Sequence, residues 1–259
     1  MISFIINAIK IIFLLGFLIL IHEGGHFCVA KLCKVKVNEF AIGFGKIIWQ
    51  KQGKETKYSI RLIPLGGFCS MEGETEESED EGSFSKANVW KRMAIVVAGA
   101  TVNILFGILV YFILVSTVGI QFVDPAKDTF LNRIYYGAIG TGEFITTIFD
   151  SIKTLITGGI QTDQMVGIVG ISEVVVQTNG IINYLHLLAV ISVSLGVTNL
   201  LPIPALDGGK ILILLIEVIR RKPMKLETEA KIQLLGFSIL MALTIFVTYN
   251  DILRIGSGS

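Results

Sequence analysis

The stretch ISFIINAIKIIFLLGFLILI, residues 2–21, runs directly into His22-Glu23-Gly24-Gly25-His26. A membrane-spanning helix needs roughly 20 apolar residues, and only Ser3, Asn7 and Lys10 interrupt this one. A signal peptide is the competing reading. The apolar part is too long for that, no small-residue cleavage site follows, and polar chemistry sits at its end. Three further stretches are long enough to span: 93–118 and 181–206, both without charge, and 232–249. Asn183, His186 and Asn199 are the polar interruptions of the third. A fifth run, Ile211–Ile219, carries Glu217 and is too short to cross, so it is expected to pack against the bundle. The expected architecture is an α-helical membrane protein with about four transmembrane helices. One membrane-embedded domain is expected over 1–255, with the closing Gly-Ser-Gly-Ser, 256–259, read as a tag remnant.

Composition agrees. Of 259 residues, 52% are hydrophobic and 17% charged, against about 25% charged in soluble domains. This excludes an ordinary soluble enzyme, a disordered chain, a collagen-like repeat and a disulfide scaffold. A net charge of +1 gives no reason to expect nucleic acid as a partner; the lipid bilayer is the expected surroundings. Three cysteines, Cys28, Cys33 and Cys69, cannot all pair, which favours a reducing compartment. Basic residues orient the spans. Segment 27–92 holds eleven Lys/Arg and 210–231 holds six, whereas 119–180 holds three. The basic segments belong in the cytoplasm, with both termini and the external segment 119–180 outside.

The connecting segments carry pattern of their own. Within 43–68, Gly43-Phe44-Gly45 precedes two strand-like runs, Ile47–Gln50 and Lys57–Ile63, around a turn at Gln52-Gly53-Lys54. The second run alternates with strand period until Pro64 and Gly66-Gly67, so a β-hairpin is expected. Residues 72–81 hold seven acids in ten and read as a solvated loop. Between Phe144 and Ile156, apolar residues recur at helical spacing, which predicts an amphipathic helix lying on the outer membrane surface.

His22-Glu23-Gly24-Gly25-His26 is an H-E-x-x-H sequence. On a helix, positions i and i+4 share a face, so both imidazoles can ligate one zinc ion. Glu23 stands beside them as a base for a metal-bound water. Polar side chains at the end of a span are costly unless paired or metal-bound. Catalytic zinc wants a third protein ligand. His186 lies near the start of a span running the same way as the first, roughly 20 Å from His22 in depth. Asp207 follows the third span at the matching depth, and it is the expected third ligand. Gly208-Gly209 behind it are expected to let backbone approach the metal. Pro202 and Pro204 break the helix ahead of Asp207, which implies a polar cavity there. Asn103, on one helix face with Gly99, or Asn199 is expected to bind the scissile carbonyl or its oxyanion. The competing role for Asn103 is interhelical hydrogen bonding.

HEGGH at 22–26, GATVN at 99–103 and NLLPIPALDGG at 199–209 together resemble the site-2 protease family of intramembrane zinc metalloproteases. The likeness is closest to the bacterial branch that cleaves anti-sigma factors. The resemblance implies zinc held by two histidines and one aspartate, a glutamate base, and single-pass membrane proteins or signal-peptide remnants as substrates. It implies a bacterial cytoplasmic membrane location with the site near the cytoplasmic side, and a re-entrant β-loop at the Gly43-Phe44-Gly45 hairpin. That branch usually carries an outer PDZ domain between the second and third spans. Residues 119–180 leave too little chain for one, so it is expected to be absent or removed. The hairpin at 47–63 is expected to hold an unwound substrate as an added strand, the receiving edge being either the run with Ser59 and Arg61 or the run with Ile48. Two other functions remain open from the residues: an inactive membrane-client binding protein, and a membrane metalloprotease of another family with a glutamate as third ligand. A structural metal site on the three cysteines fits no common zinc spacing.

Overall fold

The computed structural model describes residues 2–157 and 167–257; the last two residues of the Gly-Ser-Gly-Ser tail lie outside that range. The chain is mostly helical. Its elements are α1 (Ile2–Leu32), β1 (Val37–Gln52), β2 (Lys57–Met71), α2 (Val89–Leu114), α3 (Phe130–Ile156), α4 (Ile168–Gln177), α5 (Ile181–Asn199), α6 (Asp207–Arg220) and α7 (Leu226–Ser257). Among the described residues, four helical stretches are long and apolar enough to cross a membrane: Ile5–Leu32, Val89–Gly119, Ile181–Asn199 and Leu226–Leu253. Ile5, Ile9 and Phe13 on α1 and Leu234, Phe237 and Ile245 on α7 are each more than half exposed. Helices apolar on every side need a lipid or protein surround.

The helices differ from the sequence-based spans at their ends. α1 does not stop at residue 21 but carries H-E-x-x-H inside it, closing where Lys34 adopts φ 62°. The pentapeptide has no proline, and its two glycines, though poor helix formers, do not end the helix. The third span ends at Asn199 and not at 206, because Pro202 and Pro204 cannot continue it. The run at 211–219 forms α6, which begins at Asp207. The amphipathic pattern at 144–156 falls within the 27-residue α3.

Two compact units divide the chain. The first comprises Met1–Asn103 and Leu195–Ala242. Its core joins Ala30, Val35, Val37, Cys69, Met71, Phe84, Ile95, Val96 and Leu214. Arg92 and Glu217, both buried, form an ion pair at 2.8 Å, and Glu217 also accepts the Met224 amide at 2.7 Å. Strands β1 and β2 are longer than the hairpin read from sequence and pair antiparallel, with Val37 opposite Met71 and Gln52 opposite Lys57. The ladder is bent so that residues 39–42 lie opposite both 67–70 and 57–60. The bend falls at Gly43 and Gly45, with φ of 88° and 81°, a backbone that other residues rarely adopt. Residues 57–60 therefore have neighbours on both sides, 39–42 and 49–52. In this register the open edges belong to 47–52 and 67–71.

The acidic segment is tied down rather than freely solvated. Glu72 accepts hydrogen bonds from Ser78 at 2.6 Å and Asn38 at 2.7 Å, Asp80 pairs with Lys36 at 2.9 Å, and Glu74 pairs with Lys210. The second unit comprises Ile104–Ser194 and Leu243–Ser259. In it Tyr111 stacks on Phe144 at 3.9 Å, and the Asp251 carboxylate accepts the amides of Gly167 and Gly170 at the start of α4.

Candidate metal centre

All the converging polar groups belong to the first unit. α1 presents His22, Glu23 and His26 along consecutive turns. The break after α5 returns the chain so that α6 opens on Asp207. Ala205, at φ 75°, donates its amide to Gln233, which pins the break to α7. The Nε2 atoms of His22 and His26 lie 3.3 Å apart, and Oδ2 of Asp207 lies 3.1 Å and 3.4 Å from them. Among the described residues these three form the cluster with metal-ligating atoms within 4.8 Å of one another.

The donor set fits zinc. A tetrahedral ion with bonds of about 2.0–2.1 Å separates its ligand atoms by about 3.3 Å, the spacing seen on all three edges. Oδ2 of Asp207 is buried and satisfied by no hydrogen bond of acceptable geometry, although two nitrogens stand beside it. Lone pairs aimed at one point are what a cation requires. The outer ring atoms are also held. His26 Nδ1 donates to the Ile95 carbonyl at 2.8 Å, which turns Nε2 toward Asp207. His22 Nδ1 lies 3.4 Å from the amide group of the fully buried Asn103.

A cavity of about 420 Å³ opens on the trio, lined by His22, Glu23, His26, Asp207, strand residues Phe68–Met71, and Glu74, Thr75, Val96 and Lys210. Glu23 lies against the Cys69 backbone amide. A Cβ at Gly67 would lie 2.8 Å from the Ala41 carbonyl oxygen and 3.3 Å from Cγ of Glu23, so glycine makes room for both. Gly99 does the same for His26: a Cβ there would fall 2.4 Å from Nε2.

The structure brings His22, Glu23, His26 and Asp207 together and leaves the expected substrate-binding residues elsewhere. Asn103 backs His22 rather than lining the cavity. Asn199 turns back along its own helix, donating to the Leu195 carbonyl at 3.0 Å. Ser59 is 3% exposed, paired on both sides by Ala41 and Gln50, and donates to Glu39 at 2.6 Å. Arg61 donates to the same carboxylate at 2.8 Å and to the Gly45 carbonyl at 3.2 Å. Both are sheet-fastening residues; of the two candidate receiving edges, the run with Ser59 is closed over 57–60 by neighbours on both sides, while the run with Ile48 lies on an open edge. Burial pushes the Glu39 carboxyl up, but hydrogen bonds from Ser59 and Arg61 and the charges of Arg61 and Lys57 outweigh it and hold it below the usual range. Gly208 and Gly209 serve packing rather than metal approach. A Cβ at 208 would lie 2.1 Å from the Leu201 carbonyl oxygen, and one at 209 would lie 2.4 Å from that of Ile203. His186 packs beside Tyr111 in the second unit, with ring centroids 5.4 Å apart. Sequence reading missed Glu74, Lys210 and strand 67–71. Nothing local separates Glu74 from its six acidic neighbours, because its distinction is a contact with residue 210.

Comparison with known proteins gives the same direction. Residues 10–243 match Peptidase family M50. A Clostridium acetobutylicum protein provisionally named a zinc metalloprotease is 29% identical over 331 aligned positions, covering 95% of this chain and 97% of that relative. Zinc metalloprotease RasP of Bacillus licheniformis is 26% identical, covering 96% of this chain and 99% of its own length. Regulator of sigma-W protease RasP of Bacillus subtilis is 25% identical, with 97% and 99% covered. The alignments run to 331–422 positions against 259 residues here, so these relatives carry inserted segments that this chain lacks. With the family match spanning most of the chain and two histidines of a membrane-length helix meeting Asp207 in a zinc-competent trio, the protein belongs to peptidase family M50, the site-2 protease family, and is a membrane zinc metalloprotease.

Proposed function

We propose that the chain is an intramembrane protease that hydrolyses peptide bonds in or near the membrane segments of single-pass proteins. The bacterial cytoplasmic membrane is its location, with both termini outside and the site near the cytoplasmic face. The observation that carries this reading is the placement of His22, Glu23 and His26 inside a 28-residue apolar helical span, facing Asp207. Anti-sigma factors and signal-peptide remnants are the substrate classes; one relative is named a regulator of sigma-W. The hairpin is a re-entrant loop, and the C-terminal part of α3 lies on the outer surface. The short 119–180 segment and the long alignments support the absence of an outer PDZ domain.

His22, His26 and Asp207 hold the zinc ion, which supplies Lewis acidity and lowers the pKa of water at the site. Glu23, on the same helix face as the cavity, accepts the proton of the attacking water and delivers it to the leaving amine. Ile95 and Asn103 fix the two imidazole rings, so their nitrogens need no reorientation when substrate arrives. A transmembrane helix hides its scissile bond within its own hydrogen bonds and must unwind first. The open edge of β2 at 67–71 borders the cavity and offers main-chain partners to the unwound segment as strand addition. Ser59 and Arg61 contribute by bracing that sheet through Glu39.

The test is cleavage of a single-span reporter by purified protein. Glu23→Gln keeps shape but cannot accept a proton, so activity should fall at least about 100-fold with zinc retained. Near-normal cleavage by that variant rejects Glu23 as the base. Cys69→Pro removes an edge amide and should impair cleavage of the helical reporter more than that of a short extended peptide, which shares only the loss of the amide beside Glu23; Cys69→Ala should be mild. If Cys69→Pro folds and cleaves the helical reporter normally, the strand-addition reading is wrong.

A further inference from the structure

The open edge of β2 already holds a carboxylate. Met71, its last residue, donates its backbone amide to Glu74 Oε2 at 3.3 Å. That amide points away from β1, because its partner is a side chain beyond the strand. Residues two apart on a strand point the same way, and the Cys69 amide accordingly faces Glu23. The outward amides of Cys69 and Met71 thus each stand beside an acid side chain, one of them the proposed base. A substrate strand adding to this edge would place its carbonyl oxygens where these carboxylates stand.

Glu74 is held there by a second contact. Its other oxygen, Oε1, accepts from Lys210 Nζ, one turn after Asp207 on α6. Both side chains are about four-fifths buried, at 17% and 22% exposure, so the pair is shielded from salt. Lys210 also lies 4.7 Å over the Phe84 ring. Glu74, Thr75, Asp207 and Lys210 line the metal cavity, and they also line a second cavity of about 270 Å³ bounded by Leu226, Glu229 and Gln233 at the start of α7. The ion pair therefore stands where the two cavities meet.

We propose that Glu74 is a placeholder for substrate, latched by Lys210: its carboxylate occupies a backbone position on the receiving edge and must be displaced before a substrate strand can pair there. This deepens the strand-addition reading and rests on it. Occupying the edge satisfies an amide that would otherwise be unpaired beside the cavity. It also makes a segment of matching main-chain length a better competitor than a helix passing by. Displacement frees Lys210 and opens the two cavities into one passage beside Asp207.

The experiment measures KM and kcat for a single-span reporter with purified wild-type protein, Glu74→Ala, Glu74→Gln and Lys210→Gln. A placeholder competes with substrate, so its removal lowers KM. Threefold or more is the expected drop in Glu74→Ala, with kcat within twofold and zinc content unchanged. Lys210→Gln should move KM the same way by unlatching Glu74. Cys69→Pro in the Glu74→Ala background should erase the gain. A purely structural Glu74 would leave KM unchanged or raise it in all three variants, and that result overturns the proposal. If Glu74→Ala does not fold, Glu74→Gln and Lys210→Gln decide the matter by the same criterion. The two readings fail differently. Normal cleavage by Cys69→Pro alone removes strand addition. Impaired cleavage by Cys69→Pro without a KM decrease in the Glu74 and Lys210 variants removes only the latch.

Discussion

Replacing Gly99 by alanine adds one methyl group on α2, directly against a metal-site imidazole. The new Cβ would lie 2.4 Å from His26 Nε2 and 2.7 Å from Cε1. Ordinary contact between non-bonded heavy atoms is about 3.5–4.0 Å, so the ring or the helix must retreat by about 1 Å. His26 cannot yield cheaply, because its Nδ1 is fixed on the Ile95 carbonyl and Nε2 is 3.4 Å from Asp207. Metal-ligand distances tolerate only about 0.2 Å, and a displacement of about 1 Å at a reacting centre costs about 100-fold in rate. That corresponds to about 2.7 kcal/mol of lost transition-state stabilisation. The assay is cleavage of a single-span reporter together with zinc content per chain. Gly16→Ala, where nothing lies within 4 Å of the added carbon, is the control and should behave as wild type. Full zinc and full activity in Gly99→Ala would refute the packing of His26 against α2 and the reasoning built on it.

Gly24→Ala should be tolerated, since its Cβ meets nothing within 4 Å, whereas Gly25→Ala would sit 2.7 Å from the Ala98 carbonyl oxygen and should unfold or inactivate; thermal melts and cleavage rates check both. Breaking the buried Arg92–Glu217 pair with Arg92→Met leaves Glu217 uncompensated and should cost about 3–5 kcal/mol, read as a lowered denaturation midpoint. Glu39 is held below its usual pKa, so its contribution to hairpin stability is complete above the ordinary glutamate range, about pH 4.3. It is lost as pH falls through the lower folded value. Protection of the amides of residues 37–71, corrected for the intrinsic exchange rate at each pH, should fall on acidification, and Glu39→Gln should flatten that pH dependence; an unchanged slope would show that Glu39 does not carry it.

The helices and the zinc-competent trio were legible because their signals are local. Twenty apolar residues fix a span, and i,i+4 spacing puts His22 and His26 on one face. Asp207 was legible through depth, a coarse coordinate that span direction supplies. The glycines at 208 and 209 misled, because small size signals close approach without saying to what; here they make room for the Leu201 and Ile203 carbonyls. Ser59 and Arg61 lie on a run with clear strand period, yet period cannot reveal that the ladder folds back and gives 57–60, Ser59 among them, two neighbours. Asn103 was found as a polar residue within a span, but its partner, His22 Nδ1, is 81 positions away. Helix ends were the least legible. Polar residues at 22–26 ended the apolar pattern of α1 without ending its hydrogen bonding, which runs on to Leu32.

The account turns on one metal ion held by His22, His26 and Asp207. Metal analysis of the purified protein beside Asp207→Ala and His186→Ala tests this most directly. One zinc per chain is predicted for the wild type and for His186→Ala, with loss of zinc in Asp207→Ala. Full occupancy in Asp207→Ala with loss in His186→Ala would contradict it.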